Sequence, residues 1–521
     1  LNGAVTAQTV NGVESLVLKG DEGFDLLRLT LAPAQLVGRA VLEFVLDGSV
    51  TVQQGQNRQS ASADNNCREY AATMLCRLSV HLGPSPEAIL ITPIGPSASL
   101  SNLKVEGLSL HQQTWKTGIP ILLLLLLFVP AAIGVGLLRD AALRRRTVIC
   151  LSILFLTLLS PQLAAFTLAL LLVAYAATYA VSKRTIKLRG LILLLLAIIV
   201  AAKVAWPVSG ALLALSSEWI LLPIGLSYLI ARYIDLGVKI SAGQAEMPTL
   251  PKFITFGIFW PSFAAGPITE IGDLGSENQF PKWSDRSRGL LLVSRGFAKK
   301  AFADAVALYL VAPRVDLMIW SDGSNKDTFL LFLGNLLFVY FDFSGYSDIA
   351  IGSARLAGFR IPENFNSPLT KSNLRHFWQS WHISLTRWVN RNVFVPLSMA
   401  TRRETRAISY AVPVFATTIA IGIWHGLQPV WLLWGIHHAL GIMLTDLWGK
   451  MLPLAVTRLS ILDTKPAKIV RYVGGVCFVW YWLMLSYSFT ISSNLETALR
   501  SYWRMLILPI DLAYGFLATT L

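Results

Sequence analysis

A chain of 521 residues that is 54% hydrophobic and 14% charged, with mean hydropathy +0.56, is not an ordinary soluble protein, whose charged share is about a quarter. Most of it must have lipid as its solvent. The net charge of +14 is uneven: residues 1–118 hold eight Lys+Arg against ten Asp+Glu, and the remainder thirty-six against twenty. That asymmetry divides the chain into two domains, 1–117 and 118–521. The positive excess of the second follows the positive-inside bias of cytoplasmic membrane faces and needs no nucleic-acid partner.

Residues 1–117 carry strand signals. "VLEFVLDGSVTVQ" (Val41–Gln53), "RLSVHLG" (Arg77–Gly83), "AILITPI" (Ala88–Ile94) and "LKVEGLSLH" (Leu103–His111) are rich in branched residues. Several alternate between apolar and polar, with Gly, Pro, Ser or Asn between them. The pattern predicts an antiparallel β-sandwich. Cys67 and Cys76 lie in this polar part and form a possible disulfide if it sits outside the cytoplasm; two unpaired thiols are the other reading. His81 and His111 are expected on the solvent face.

Ile119–Leu138, "IPILLLLLLFVPAAIGVGLL", is long and apolar enough to cross a bilayer. The basic run Arg139–Arg146 follows and reads as cytoplasmic, so the β domain reads as extracytoplasmic. Exporting it needs a segment ahead of Leu1, and we expect one there in the gene product. The next apolar stretch breaks at Pro161, and a second basic loop, Ser182–Arg189, comes after it. Beyond "GLILLLLAIIVAA" (Gly190–Ala202) the apolar runs are interrupted by Gly, Pro and charge. Such irregularity at membrane depth is tolerated where protein or a water-filled cavity surrounds it. The expectation is a polytopic α-helical membrane domain of about 11–12 spans. Re-entrant pieces are expected between residues 360 and 425, around a polar tunnel.

Five of seven histidines fall between residues 376 and 438: His376, His382, His425, His437 and His438. A metal site is disfavoured by their spacing, the lack of HExxH and the few nearby carboxylates. A general base fits better, because an imidazole in a low-dielectric pocket can take a proton from a hydroxyl. His425 stands between Trp424, which would wall a pocket, and Gly426, which allows close approach. With no GxSxG elbow, direct transfer in a ternary complex is expected rather than an acyl-enzyme. Arg387 and Arg391, four apart, would share a helix face. Asp342, Ser344, Tyr346 and Asp348 are too polar for a lipid-facing span and must line a cavity or satisfy buried partners. The two aspartates read as an acid/base pair or, better, as buried ion-pair partners.

Three blocks carry a resemblance. "YFDFSGYSDIAIGSARLAGFRIPENFNSPL", "FWQSWHISLTRWV" and "GIWHG" are similar to the signature blocks of the membrane-bound O-acyltransferases (MBOAT). "PIGLSYLIARYIDLG", "WPSFAAGPITE" and "GFAKKAFADAVA" agree more weakly. The likeness is to the bacterial branch that includes proteins of alginate O-acetylation and teichoic-acid D-alanylation, and it spans roughly residues 120–500. The N-terminal β domain lies outside that core.

The resemblance implies that His425 is catalytic and that His382 is a second active-site histidine; for His382 a packing role is the alternative. His438 matches a family histidine, but Ala439 stands where the family has Gly. His376 and His437 have no counterpart there. Trp424, Trp381, Arg387, Arg391, Asn366, Tyr346 and Asp348 are the implied substrate-binding residues, and no metal is implied. Lys299, Lys300, Arg375, Arg387 and Arg391 would meet the donor's phosphates. The implied function is transfer of acetyl groups from cytoplasmic acetyl-CoA, with no bound cofactor, to an extracytoplasmic hydroxyl in cell-surface polysaccharide O-acetylation. Its setting is a bacterial inner membrane with the β domain in the periplasm and an extracytoplasmic esterase-like protein as partner. D-alanyl transfer from a carrier protein is a second reading, and a non-catalytic transporter or scaffold a third.

Overall fold

The structure, a computed structural model, describes residues 125–198, 200, 225–274, 280–314, 326–451, 464–492 and 495–508 with their side chains. It describes the backbone alone for residues 325, 452–458 and 509–520 and for the N-terminal strands. The chain divides near Pro120 into two compact units.

In the first unit the described strands are β1 (Val5–Val10), β2 (Val13–Leu18), β3 (Leu27–Leu29), β4 (Gly38–Gln54), β5 (Asn57–Ser62), β6 (Cys67–Tyr70), β7 (Thr73–Leu82) and β8 (Ile89–Gly107). All pairings are antiparallel: β1 with β2, and a sheet in the order β3-β8-β4-β7-β6 with β5 also on β4. The two strands expected at 88–94 and 103–111 are one strand, β8, whose pairing with β4 slips register at two places. The side chains that would stack two layers, and those of Cys67 and Cys76, lie outside the described residues. Along the backbone Cys67 is opposite Cys76.

The second unit is helical. α1 (Leu125–Leu137) leads to the basic turn, where the Asp140 carboxylate accepts from the Leu143 amide at 2.6 Å and starts α2 (Ala141–Leu159). Arg144 is buried and donates to the Leu138 carbonyl, so this end of the turn is tied down. The break expected at Pro161 is there. Ser160 closes α2 through its amide and caps α3 (Pro161–Ser182) through its hydroxyl, with Pro161 in the first turn, where its missing N–H costs nothing. α4 (Leu188–Ile198) is a shorter apolar helix.

α5 (Leu226–Ser241) begins at Gly225, whose φ of 78° suits glycine and where a Cβ would lie 2.6 Å from the Phe263 carbonyl oxygen. Its Arg232 is 1% exposed, and among the described residues no carboxylate forms an ion pair with it. The guanidinium donates instead to the carbonyls of Phe256, Gly257 and Ser262 and to the Ser262 hydroxyl, at 2.9–3.2 Å. Those acceptors lie on α6 (Leu250–Ile258) and the turn after it, so one cation binds three segments together.

α7 (Trp283–Val306) and α8 (Asn325–Leu356) cross through glycines spaced by seven. A Cβ on Gly296 would sit 2.6 Å from the Gly345 carbonyl oxygen, and one on Gly352 2.6 Å from that of Gly289. Small residues at the crossing let the backbones meet, which is how helices associate where lipid removes the usual hydrophobic drive. The pair is also cross-linked by charge: Asp348 accepts from Arg295 at 2.6 and 2.8 Å and pairs with Lys299 at 2.7 Å, and Asp342 pairs with Lys300.

The irregular region is built of short pieces: α9 (Leu374–Ser380), α10 (Ile383–Val389), a π turn at Asn390–Phe394 and α11 (Val395–Ala400). α12 (Arg406–His425), α13 (Pro429–Arg458), α14 (Lys465–Ile491) and α15 (Leu495–Thr520) complete the unit. Among the described residues five helices are long and apolar enough to cross a membrane: Pro161–Ser182, Lys326–Leu356, Arg406–His425, Pro429–Met451 and Lys465–Ile491. The expected count of 11–12 is therefore met only in part; much of the apolar run near 190–224 lies outside the described residues.

Candidate active site

Four of the clustered histidines sit in one continuous array of rings. α12 ends at His425 because the Gly426 amide closes the last turn onto Gly422, and a side chain at 426 would strike the Trp431 indole, 2.2 Å from an ideal Cβ. The ring of His425 is exposed, stacks on Trp431 with centroids 5.0 Å apart, and touches Trp424 at 4.8 Å and Trp434 at 5.5 Å. His382 also meets Trp424, with centroids 6.0 Å apart. Trp424 is thus a ring shared by an exposed imidazole and a buried one.

His382 is 4% exposed and is enclosed by Phe343 at 4.7 Å, Tyr228 at 6.0 Å and Trp424. Its Nε2 is buried and has no hydrogen-bond partner. A polar nitrogen left that way is costly unless a ligand meets it. Its backbone is also unusual, with φ 43° and ψ 54°, a left-handed conformation disfavoured for a side chain of this size.

The surroundings hold that turn in place. The Ile383 amide donates to the Asn364 carbonyl at 2.9 Å, and the Asn366 amide to that of Ser380 at 2.9 Å. Asn364, fully buried, accepts through its side-chain oxygen from the Ser384 amide at 3.2 Å and hydroxyl at 2.7 Å. The Ser384 hydroxyl oxygen in turn accepts from the Ile268 amide at 2.9 Å. Asn364 and Ser384 were not among the residues singled out by sequence. Asn366 was, but its side chain is exposed, and only the backbone pairing tells the two asparagines of "NFN" apart.

The other expected residues fall in several places. Trp381 stacks on Phe377 at 5.5 Å and meets Phe365 edge-on at 5.1 Å, beside the turn. Tyr346 is buried and donates from its hydroxyl to the Pro261 carbonyl at 3.4 Å. Asp348 spends both oxygens on Arg295 and Lys299. Arg387 and Arg391, the second already in the π turn, face the same small cavity. Arg387 is exposed and lines that cavity, of about 30 Å³, with Arg391, Asp235, Glu270 and Ser384. Arg391 is held by Asp235 at 2.6 Å and Glu270 at 2.9 Å, which also pair with Lys239. Burial pushes the Glu270 carboxyl up, but Lys239 and Arg391 outweigh it and hold it below the usual carboxylate range.

Of the remaining histidines, His438 is buried between Trp434 and Trp378 at 4.3 and 5.0 Å. His437 bonds the Trp482 carbonyl at 3.0 Å and the Tyr502 hydroxyl at 3.2 Å. His376 is exposed and paired with Asn373, the cap of α9. Arg375 bonds Asp446 and Tyr410, tying α9 to α12 and α13. Among the described residues no three His, Cys, Asp or Glu gather closely enough to hold a metal ion.

An exposed imidazole at a helix end and a buried one with an open nitrogen, both against Trp424, are groups that can take up and give back a proton. The chain has relatives with this kind of chemistry in their names. It is 32% identical over 291 residues to a protein named as a probable alginate O-acetylase of Azotobacter vinelandii, covering 55% of this chain and 54% of that protein. It is 27% identical over 236 residues to a teichoic acid D-alanyltransferase of Streptococcus thermophilus, covering 43% and 57%. It is 28% identical over 268 residues to a peptidoglycan O-acetyltransferase of Helicobacter pylori, covering 48% and 46%. The matches thus span about half the length of these curated relatives. Residues 146–492, which hold both His382 and His425, match the MBOAT family, and the chain belongs to the membrane-bound O-acyltransferase family.

Proposed function

We propose that the chain is an O-acyltransferase that moves acetyl groups from cytoplasmic acetyl-CoA to a hydroxyl on the far side of the membrane, for O-acetylation of a cell-surface polysaccharide. The observation that carries this reading is that His425 and His382 both contact Trp424, one exposed and one with a buried open nitrogen. His425 takes the acceptor's proton, and the oxygen attacks the thioester carbonyl. The tetrahedral oxyanion is met by an N–H of His382, in the tautomer that protonates Nε2. The C–S bond then breaks and the thiolate takes the proton from His425, leaving an ester and free thiol. Because the acyl group alone crosses, the thiol carrier stays in the cytoplasm. No metal is needed for any of these steps.

In this reading Trp424 and Trp381 flank the acceptor, and Arg387 is the basic residue left accessible to the donor. The β strands form a periplasmic sandwich that docks an esterase-like partner or the polysaccharide. Cys67 and Cys76, opposite each other in the backbone register, are bridged there. The membrane is the inner membrane of a bacterium.

Purified protein in detergent is expected to hydrolyse acetyl-CoA slowly, and His425→Ala to abolish this with the fold intact. Surface acetylation that continues at the normal level in a His425→Ala strain would instead favour a transporter or scaffold. A second acyltransfer reading, D-alanyl transfer from a carrier protein, draws on the likeness to the Streptococcus thermophilus D-alanyltransferase. It predicts turnover with a D-alanyl carrier protein and none with acetyl-CoA.

A further inference from the structure

A cavity of about 510 Å³, within the size range of small-molecule sites, lies away from the histidine array. Its walls come from the start of α7 and the end of α8: Lys282 and Asp285 on one side, Arg355 and Arg360 on the other, with Phe280 and Phe359 between. Among the described lining residues Lys282, Arg355 and Arg360 stand around Asp285, which pairs with Arg355 at 3.8 Å and with Arg360 at 3.2 Å. The Nε of Arg355 is buried without a hydrogen-bond partner, and among the described residues its ion pairs, to Asp285 and Glu363, are long, at 3.8 and 3.7 Å. A guanidinium fork held this way suits a planar oxyanion. The 24-residue α7 starts at the same wall and adds the positive end of its dipole.

The position of the cavity narrows what fills it. Arg286 donates to the Gly136 carbonyl at 3.1 Å, and a Cβ on Gly358 would sit 3.3 Å from the Arg144 guanidinium. The cavity is therefore beside the basic turn Arg139–Arg146, read as cytoplasmic. Trp283 is 80% exposed and Phe280 46%, and Arg286 lies over the Phe280 ring at 5.0 Å. Exposed aromatics interleaved with arginine and lysine mark the depth of lipid headgroups.

We propose that this cavity is a phosphate-ester site at the cytoplasmic membrane interface, in which Lys282, Arg355 and Arg360 hold the phosphate and Phe280 and Phe359 cover the group attached to it. The phosphate belongs either to an anionic phospholipid of the adjoining leaflet or to a soluble nucleotide-type phosphate. The site does not rest on the acyl-transfer reading.

The test uses the full chain in detergent. Retention of phosphatidylglycerol against phosphatidylcholine is read by native mass spectrometry, and binding of adenosine 3′,5′-diphosphate by calorimetry. The double variant R355Q/R360Q is expected to bind one of these two probes at least tenfold more weakly, and the phosphatidylcholine control to be unchanged. Lys282→Gln, at an exposed position, is expected to give about a threefold loss, and it serves if the double variant does not fold. Arg403→Gln, an exposed arginine elsewhere, should change nothing, and His425→Ala should bind as the parent does. A loss confined to phosphatidylglycerol assigns the site to lipid, and one confined to the nucleotide assigns it to a soluble ligand. Equal binding of both probes by the parent, R355Q/R360Q and Lys282→Gln would overturn the proposal, as would an equal loss in Arg403→Gln.

Discussion

The side-chain oxygen of Asn364 accepts from both the amide and the hydroxyl of Ser384, two residues after the left-handed turn at His382. Asn364→Ala leaves a buried amide and hydroxyl without that acceptor, at a cost of about 1–3 kcal/mol. The expected result is a lower melting temperature and a drop in kcat of at least tenfold with KM for acetyl-CoA little changed. Asn366→Ala, at an exposed side chain, should leave both near parental values.

His425 and His382 should separate by stability. His425 is exposed but stacks on Trp431, so His425→Ala should abolish transfer at a stability cost of about 1 kcal/mol or less. His382 is enclosed by Phe343, Tyr228 and Trp424, so His382→Ala removes packed atoms as well as the open nitrogen. It should abolish transfer and also destabilise, by about 1–3 kcal/mol from the cavity and lost contacts. Thermal denaturation beside an acetyl-CoA hydrolysis assay checks both.

The crossing of α7 and α8 has no room for side chains. Gly296→Leu or Gly352→Leu should cost at least about 1–3 kcal/mol from overpacking. A large loss of folded protein on size-exclusion chromatography is expected. Gly190→Leu, where nothing lies within 4 Å of an added Cβ, should be tolerated.

Asp348 tests whether a carboxylate in α8 serves substrate or structure. Asp348→Asn leaves Lys299, mostly buried, and Arg295 without a counter-ion, and should destabilise by about 2–3 kcal/mol. KM for acetyl-CoA should not move. A KM rise of tenfold or more in folded Asp348→Asn would return it to the binding residues.

Glu270 links the π turn to α5 through Arg391 and Lys239, and its carboxyl is held below the usual range. A depressed folded-state pKa contributes stability above the unfolded pKa of about 4.3, and that stability is lost as pH falls through the lower folded value. The parent should thus lose stability below about pH 4, more steeply than Glu270→Gln does. Melting temperatures from pH 7 to pH 3 check the slope.

The sequence made some of this legible and hid the rest for physical reasons. The break at Pro161 was readable because proline and a preceding serine act locally, and the structure uses both. The clustered histidines were readable because polar rings in apolar runs are rare. Arg391 read as a phosphate contact, yet Asp235 and Glu270 hold it from 156 and 121 residues away. Asn364 was hidden for the same reason, since its partners are brought near by backbone pairing. The shared face of Arg387 and Arg391 was readable from their spacing, and both line one cavity, but the π turn that begins between them has no compositional mark. The glycine crossing shows only when both helices are set side by side.

The caging of Arg232 by carbonyls has a consequence for biogenesis. An arginine released into the bilayer on its own carries a penalty of about 2.5–3.5 kcal/mol at a helix centre. The acceptors that relieve it lie 24 to 35 positions further along the nascent chain. Arg232 therefore cannot be buried until α6 and the turn after it have been synthesised, and a stall between the two helices leaves its guanidinium without the carbonyls that replace water.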